Sequence, residues 1–306
     1  MNEIALKIGT RGSPLALAQA QEVRSLLALA KGCGECQFEI VVIRTAGDMI
    51  LDRSLSEAGG KGLFTKEIDA ALLKGEIDLA VHSSKDLPTF LPEGVTIAGY
   101  LTREDVRDAL ISARGDSIAA LPRGATLGTA SLRRQAQVKR LRPDIRGVLL
   151  RGNVETRLRK VETGEVDATL LAYAGLKRLG LSHRATALLD IDAFLPAVGQ
   201  GAIGLTARKD DTATHLALRQ IVDEDTGIAL AVERAFLAVL DGSCRTPIAG
   251  HAILTDGALH LRGMILKPDG SQVIATERTG AARDAVALGR DAGLELKQRG
   301  GPGFLE

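Results

Sequence analysis

The sequence contains no tryptophan, and aromatic residues make up only 3% of its 306 positions. Leu, Ile, Val and Ala must therefore build the cores of the two or three domains that a chain of this length can form. The three cysteines cannot all pair in disulfides, which suits a reducing cytosol. No segment approaches the roughly 20 apolar residues of a membrane span, and the first residues lack the basic and apolar regions of a signal peptide. We therefore expect a cytoplasmic protein with no membrane partner.

An excess charge of either sign is also missing, because the net charge is +1. No global field favours nucleic acid, so no nucleic-acid partner is expected. The 39 basic residues are nevertheless 27 Arg and only 12 Lys. The planar fork of Arg matches a carboxylate or phosphate bidentately, as Lys cannot. A compositional bias with solvated helix faces would give the same count, so the positions of the arginines must separate the two interpretations.

Strands and helices are predicted to alternate at the start of the chain. Ser13-Pro14 is typical of a helix start, here of a helix to about residue 30, and Thr65 is predicted to cap a helix to about residue 74. The predicted strands are residues 4–8, 38–43 and 78–82. This alternation favours a parallel sheet covered by helices.

The pattern then repeats. The segment GTRGSPL, from Gly9, is echoed by GTASLR, from Gly128, and GEIDLA, from Gly75, is echoed by GEVDAT, from Gly164. Two similar α/β halves are therefore predicted, at residues 1–101 and 102–201. Ligands of such sheets bind at the carboxyl ends of strands, against helix N-termini. The two halves would form a clamshell with an anion-binding helix terminus on each side of its cleft.

The pattern changes after residue 201. Residues 203–207 are predicted to return as a strand to the first half, whose domain then includes residues 202–219. A helix at 226–240 and a last helix at 282–299 flank strands joined by Asp256-Gly257 and Asp269-Gly270, which are hairpin turn signals. The predicted strands are residues 248–254, 258–266 and 272–279. Residues 220–306 should thus form a small α+β domain with an antiparallel three-stranded sheet.

Asp86 lies in HSSKDLP, just past the carboxyl end of a predicted buried strand. A carboxylate in this place can accept N–H bonds from a ligand and stabilise a developing cation. An aspartate that only turns the loop or caps a short helix before Pro88 would have the same sequence. This segment alone leaves both interpretations open.

Arginines recur where a strand leads into a helix. Arg133 and Arg134 begin a helix after Ser131, although cations oppose the macrodipole there, so an anion is expected nearby. Arg151 and Arg157 flank a second such junction, and Arg11 lies at the corresponding place in the first half. The alternative is that one arginine of the adjacent pair simply extends into solvent. Solvation explains less well than anion binding why arginines recur at several strand-to-helix junctions.

Residues 45–65 contain Gly59-Gly60-Lys61-Gly62 and are either a mobile lid or an ordinary surface loop. They are not a Walker A loop, because Gly follows Lys61. No metal site is expected, since Cys33 and Cys36 have no matching pair of ligands and fit an exposed loop. Cys244 lies in the polar loop DGSCRTP, where the neighbouring Arg245 would favour the thiolate.

Taken together, these residues resemble the porphobilinogen deaminase (hydroxymethylbilane synthase) family over essentially the whole chain. The matching segments, in the order of the family, are TRGSPLALAQ, GGKGLFTKEI, DLAVHSSKDLP, GTASLRRQAQ, LRGNVETRL, LAYAGLKRLGL, LPAVGQGAIG and DGSCRTPIAG. The resemblance implies a monomer of three domains, the first two arranged like a type II periplasmic binding protein. It also implies a transferase that condenses four porphobilinogen molecules head to tail, releases ammonia and liberates hydroxymethylbilane.

The resemblance further implies a dipyrromethane cofactor, made from two porphobilinogen units and held by a thioether to Cys244. Asp86 matches the catalytic aspartate, which would assist loss of the aminomethyl nitrogen. The residues that match the family's cofactor contacts are Arg133, Arg134, Ser131, Lys85, Thr129 and Asp48. Those that match its substrate contacts are Arg11, Arg151, Arg157, Arg178 and Gln200. Lys61 and Phe64 match its active-site loop.

The sequence departs from the common family pattern in two places. Ser243 and Arg245 flank the cofactor cysteine where Gly and Gln are frequent, and Ala46 replaces a polar or basic residue. Two other classes of protein stay open. A non-catalytic anion-binding clamshell would explain the arginines but not Asp86, and a hydrolase would pair Cys244 with His251 or His260.

Overall fold

The computed structural model describes residues 6–49, 62–240 and 246–304. Its strands, in chain order, are β1 (Leu6–Thr10), β2 (Phe38–Val42), β3 (Leu79–Ser83), β4 (Val95–Tyr100), β5 (Asp108–Ser112), β6 (Thr126–Gly128), β7 (Arg146–Val148), β8 (Ala168–Ala172), β9 (Ala187–Leu188), β10 (Ile203–Arg208), β11 (Ile248–Thr255), β12 (Ala258–Leu266) and β13 (Val273–Ala281). Its helices are α1 (Pro14–Lys31), α2 (Ala46–Met49), α3 (Lys66–Leu73), α4 (Leu132–Leu141), α5 (Val154–Glu162), α6 (Tyr173–Arg178), α7 (Thr212–Leu218), α8 (Glu224–Val239) and α9 (Ala285–Gly300).

The first sheet has the strand order β2-β1-β3-β10-β4. Strand β1 pairs in parallel with β2 and β3, whereas β10 is antiparallel to both β3 and β4. The predicted return strand is therefore confirmed, and the sheet is mixed rather than wholly parallel. The reason is that β10 enters the sheet from a distant part of the chain and not through a crossover helix.

The second sheet repeats this arrangement with the order β7-β6-β8-β5-β9. Strand β6 is parallel to β7 and β8, and β5 is antiparallel to β8 and β9. In the first sheet the antiparallel strand follows the others in sequence, and in the second it precedes them. The two similar halves and the smaller antiparallel sheet of the predicted fold class are thus confirmed.

Helices cover both faces of each of these sheets. Ser13 caps α1 by accepting a hydrogen bond from the N–H of Ala16, and α1 buries Val23 and Leu27 against β1. On the opposite face α3 buries Ile68 and Leu72 against β3 and β4. In the second sheet α4 packs on one face and α5 on the other. This burial of aliphatic side chains on two faces is what a helix-covered sheet needs.

The third sheet is antiparallel, with the order β11-β12-β13. The turn between β11 and β12 has positive φ at both Asp256 and Gly257, and Gly270 has a positive φ in the next turn. These conformations suit the predicted Asp-Gly hairpins. Helices α8 and α9 bury Phe236 and Leu296 with Leu261 of this sheet.

The described chain divides into two compact units. The first unit contains the first sheet, up to Glu104, together with Ala202–Gly227. The second contains Asp105–Gly201 and the residues from Ile228 onward, so the third sheet clusters with the second. Among the described helices, none combines the length and the apolar character needed to cross a membrane.

Candidate functional site

Three predicted site residues of the first unit lie at one edge of its sheet. Arg11 directly follows β1, and Asp86 lies in a short 3-10 turn, Ser84–Asp86, that directly follows β3. Since β1 and β3 are parallel neighbours, their carboxyl ends meet at this edge. Asp48, on the short helix α2, completes the group. The sheet topology therefore brings together residues that are far apart in sequence.

Arg11 is the centre of this group. Its Nε donates to both carboxylate oxygens of Asp48, at 3.1 and 3.3 Å, and its Nη2 also contacts Asp48. Its Nη1 lies 3.8 Å from Oδ2 of Asp86, and the ring of Phe64 lies 4.1 Å from the guanidinium carbon. The cation is thus held by one carboxylate, approached by a second and covered by an aromatic face.

The charge on Asp48 follows from these contacts. Burial alone would raise the pKa of its carboxyl group. The hydrogen bonds from Arg11 and Thr45 and the charge of Arg11 outweigh burial, so the pKa lies below its ordinary value. The Thr45 hydroxyl donates to Oδ2 of Asp48 at 2.8 Å. Asp48 is therefore an ionised partner of Arg11 at neutral pH.

Asp86 has fewer partners than Asp48. Its side chain is 32% exposed, and the distance to Arg11 is that of an ion pair rather than a hydrogen bond. A carboxylate in this state can accept N–H bonds from a ligand while a neighbouring cation orients it. Lys85, the adjacent predicted cofactor contact, is exposed.

A cavity of about 60 Å³ adjoins this group, and its lining includes Arg11, Ser13, Gln19, Phe64, His82 and Asp86. His82 is buried on β3, and its Nε2 lies 3.2 Å from the hydroxyl of Thr206 on β10. Burial, followed by the charge of Arg11, lowers the pKa of His82 to about 4. The ring is therefore neutral, and a hydrogen-bonding group rather than a charge lines this part of the cavity.

The second unit contains a different group around Arg133 and Arg134 at the start of α4. Both side chains are buried, and both bind Asp108, the first residue of β5, whose exposed fraction is 0%. Burial alone would raise the pKa of Asp108, but the charges of Arg133 and Arg134 hold it far below its ordinary value. The anion that the sequence predicted for these two arginines is therefore, in part, a carboxylate of the chain itself.

Thr129 and Ser131 shape the turn into α4. The Thr129 hydroxyl accepts from the N–H of Ser131 at 3.1 Å, and the Ser131 hydroxyl accepts from the N–H of Arg134 at 3.4 Å. Ser131 is thus the predicted N-cap. Both hydroxyls fix the local backbone from which the two arginines extend.

Backbone carbonyl groups orient two of the predicted substrate contacts in the second unit. Nε of Arg157 donates to the carbonyl of Gly152 at 2.9 Å, and both Nη atoms of Arg178 lie 3.2 Å from the carbonyl oxygen of Gly201. Arg151 is half-buried just before α5. Arg157 and Arg178 are therefore partly buried and oriented, rather than extended into solvent.

Gln200 belongs to the Asp108 group. Its side-chain amide donates to the carbonyl of Val106 at 2.7 Å and to Oδ1 of Asp108 at 3.1 Å. Sequence reasoning missed Asp108 altogether. A pair of adjacent buried arginines indicates that a carboxylate lies nearby. No local sequence feature identifies Asp108 as that carboxylate, because it lies 26 residues before Arg134 in the chain.

Two predicted site residues, Cys244 and Lys61, lie outside the described residues. Of the other two cysteines, Cys33 is partly buried against the first core and Cys36 is exposed. Within the described ranges, no group of three or more His, Cys, Asp or Glu side chains could hold a metal ion.

Two family models match the chain. One, described as "Porphobilinogen deaminase, dipyromethane cofactor binding domain", matches residues 6–216, and the other, "Porphobilinogen deaminase, C-terminal domain", matches residues 228–298. Curated relatives with the name porphobilinogen deaminase include one from Nitrobacter hamburgensis, which is 58% identical over 99% of this chain and 96% of the relative. Another, from Paracoccus denitrificans, is 55% identical over 98% of this chain and 96% of the relative.

A plant relative is named porphobilinogen deaminase, chloroplastic. It comes from Oryza sativa subsp. japonica and is 54% identical over 98% of this chain and 86% of its own length. Among solved structures, a periplasmic substrate-binding protein of an ABC transporter from Coxiella burnetii aligns with a TM-score of 0.45 and 15% identity, over 71% of this chain and 91% of that one.

Proposed function

Because the chain belongs to the porphobilinogen deaminase family, we propose that Asp86 is its catalytic residue and that Cys244 carries its cofactor. The activity is that of a transferase, which condenses four porphobilinogen molecules head to tail, releases ammonia and forms the linear tetrapyrrole hydroxymethylbilane. The observation that carries the assignment of Asp86 is its position at the carboxyl end of β3, partly exposed and 3.8 Å from the Arg11 guanidinium.

Asp86 acts on the substrate through its negative charge. The aminomethyl group leaves as ammonia from its protonated form, so the positive charge passes from the departing nitrogen to the pyrrole ring system that remains. A fixed carboxylate beside the ring stabilises the charge in this new place more than at the ammonium of the ground state. The same carboxylate accepts the pyrrole N–H and so orients the ring. Arg11 is near enough to orient Asp86 and too far to occupy its lone pairs with a strong hydrogen bond.

The residues of the second unit fit an acidic cofactor. Within the described part of the chain, Arg133 and Arg134 carry two positive charges against the one negative charge of Asp108, and the buried Nε of Arg133 has no hydrogen-bond partner there. Such a donor set suits the acetate and propionate groups of a dipyrromethane. When bound, this cofactor supplies the primer of the chain and remains on the protein through a thioether to Cys244. The other residues assigned to hold it are Ser131, Thr129, Lys85 and Asp48.

The substrate carboxylates are assigned to a second set of residues, which are Arg11, Arg151, Arg157, Arg178 and Gln200. Contacts with the backbone or with Asp48 orient the guanidinium groups of Arg11, Arg157 and Arg178 before a ligand arrives. Such preorganisation lowers the entropy cost of holding a small dicarboxylate. Lys61 and Phe64 are assigned to the active-site loop, where Phe64 covers the face of Arg11.

We also propose that the protein is a cytoplasmic monomer with three domains. These are residues 1–101 with 202–219, residues 102–201, and residues 220–306. The third domain, with its antiparallel sheet, would carry the attachment cysteine.

The mass of the intact purified protein tests the proposal. A dipyrrole-sized adduct is expected on the parent chain, should map to the peptide that contains Cys244, and should be missing in Cys244→Ser. A bare parent chain that still binds porphobilinogen without turnover would favour the non-catalytic anion binder. An ester or amide hydrolysis activity that depends on Cys244 would favour the hydrolase.

A further inference from the structure

Asp108 is a fully enclosed carboxylate of the second unit, and it contacts predicted ligand-binding residues. Its exposed fraction is 0%. Oδ1 accepts three hydrogen bonds: Nε and Nη2 of Arg134, at 3.0 and 2.7 Å, and the amide of Gln200 at 3.1 Å. Oδ2 lies 2.8 Å from Nη2 of Arg133. One carboxylate thus contacts three side chains that are assigned to the cofactor and the substrate.

Each partner of Asp108 is also fixed at a second point. Nη1 of Arg133 donates to the carbonyl of Leu195, and Nη1 of Arg134 donates to the carbonyl of Leu170, both at 2.8 Å. The amide of Gln200 donates to the carbonyl of Val106. With two anchors each, these side chains have little rotational freedom left, which is what a preorganised binding group requires.

The charges of this group do not balance. Among the described residues, two buried guanidinium groups face one buried carboxylate, which leaves one net positive charge. The buried Nε of Arg133 has no hydrogen-bond partner among them, and neither has Oδ2 of Asp108, which meets Arg133 as an ion pair. A buried charge and a buried unpaired donor are both costly unless something satisfies them. A ligand carboxylate would supply the missing negative charge and the missing acceptor together.

We propose that Asp108 is the positioning residue of this anion site, which holds Arg133, Arg134 and Gln200 in the geometry that receives one carboxylate of the pyrrole cofactor. The inference rests on the proposed function, and it assigns to Asp108 no contact with the ligand itself. The Asp108 carboxylate has two opposite effects on ligand binding. It lowers the positive charge of the site, which weakens the attraction for an anion, and it fixes the arginines in place, which favours binding.

Asp108→Asn tests the proposal because charge and shape predict opposite results. The amide keeps the size of the side chain but raises the net charge of the group from +1 to +2, as Asp108 is the one carboxylate that the described residues place against the two arginines. If charge alone held the ligand, the variant would load at least as well as the parent. If Asp108 positions the arginines, the loaded fraction should fall by about tenfold or more, as expected when binding groups move by about 1 Å.

The measurement uses the apo chain, incubated with porphobilinogen and followed by intact mass to give the fraction that carries the dipyrrole adduct. Ile118→Ala is the matched control, since it removes a buried apolar side chain from the core of the same sheet and none of the hydrogen-bond or ion-pair partners of Arg133, Arg134 or Gln200. A control with a similar decrease in Tm and a normal loaded fraction would assign the loss in Asp108→Asn to positioning. A normal loaded fraction in Asp108→Asn would overturn the proposal.

Asp108→Glu keeps the proposal testable if the amide variant does not fold. Glu retains the charge but moves the carboxylate by one methylene. We expect a folded protein that needs about tenfold more porphobilinogen for half-loading, and loading like that of the parent would also overturn the proposal. A parent chain without any adduct would instead contradict the proposed function, so the two failures are distinguishable.

Discussion

Arg11 donates from Nε to both carboxylate oxygens of Asp48, at 3.1 and 3.3 Å. The resemblance assigns Asp48 to the cofactor, and among the described residues its carboxylate contacts Arg11 and Thr45. A charge-assisted pair of this kind fixes the plane of the guanidinium group. Asp48 therefore contributes at least through the orientation of Arg11, which is assigned to the substrate.

Asp48→Asn should raise the KM for porphobilinogen by about tenfold and change kcat less, because a charge-assisted hydrogen bond contributes about 1.5–3 kcal/mol and its loss leaves Arg11 less well oriented. Steady-state kinetics measures both constants. Thr45→Val is the control, since it removes the other donor to Asp48, at 2.8 Å, and leaves the pair with Arg11 in place. Parental values of both constants in Asp48→Asn would contradict this role.

Asp86→Asn should leave folding intact and lower kcat on the order of 10²- to 10⁴-fold, because the amide cannot stabilise the developing cation. Asp78 provides a matched control at the other end of the same strand. Its side chain is 30% exposed, close to that of Asp86, and it accepts from the N–H of Lys7 at 2.8 Å. Asp78→Asn should lower Tm slightly and retain kcat. Equal kinetic effects of the two variants would rule out a special role for Asp86.

His82 should make the stability of the protein depend on pH on the acid side. Burial lowers the pKa of His82 from 6.5 to about 4, so the unfolded chain binds a proton below 6.5 while the folded chain stays neutral. The contribution of neutral His82 to stability is therefore fully present above pH 6.5, and about 3 kcal/mol of it is lost as the pH decreases to 4.

His82→Gln removes this titration and should flatten the acid slope. Urea unfolding between pH 7.5 and 4 measures the effect, and the difference between parent and variant at pH 7.5 serves as the reference. The prediction fails if both proteins lose stability in parallel as the pH decreases.

Gly270→Ala and Gly257→Ala form a matched pair of hairpin-turn variants. Both glycines have a φ of 75°, so both alanines introduce a left-handed strain of about 1–2 kcal/mol. A Cβ on Gly270 would lie 2.5 Å from the N atom of Arg140 and 2.6 Å from the carbonyl oxygen of Ala136, both on α4. A Cβ on Gly257 would have no atom of the described residues within 4 Å. Overpacking should add about 1–3 kcal/mol to the destabilisation by Gly270→Ala alone.

The same pair tests whether the turn at Gly270 helps to place α4, the helix that begins with Arg133 and Arg134. Intact mass should show a lower dipyrrole-loaded fraction for Gly270→Ala than for Gly257→Ala. Equal loading, despite unequal Tm values, would mean that α4 relaxes without moving the arginines.

Features that depend on neighbouring residues could be predicted from the sequence. The caps Ser13 and Ser131 were identified because a short polar side chain satisfies nearby N–H groups. The Asp-Gly turns were identified because their backbone favours positive φ. The position of Asp86 after a buried strand was also predicted, because the strand and the aspartate are neighbours in the sequence.

Features that depend on distant parts of the chain could not be predicted in this way. The residues of β5 and β10 do not indicate that these strands are antiparallel to their neighbours. The direction of pairing depends on where the chain enters the sheet. The contact between Asp108 and Gln200 spans 92 residues, and the pairing of Arg11 with Asp48 spans 37. A charged side chain with no oppositely charged neighbour in the sequence indicates that such a partner exists elsewhere in the chain. Only the fold shows which residue is that partner.

The antiparallel strand comes last in the sequence of one sheet and first in that of the other, and this difference matters during synthesis on the ribosome. In the first sheet β10 lies between β3 and β4, so β4 has no neighbour until residues 203–208 have left the exit tunnel. All strands of the second sheet lie between Asp108 and Leu188 and are available earlier. We therefore expect the second sheet to form first during translation, although it begins later in the chain. Until β10 emerges the first sheet is incomplete, and it exposes an unpaired strand edge of the kind that chaperones protect.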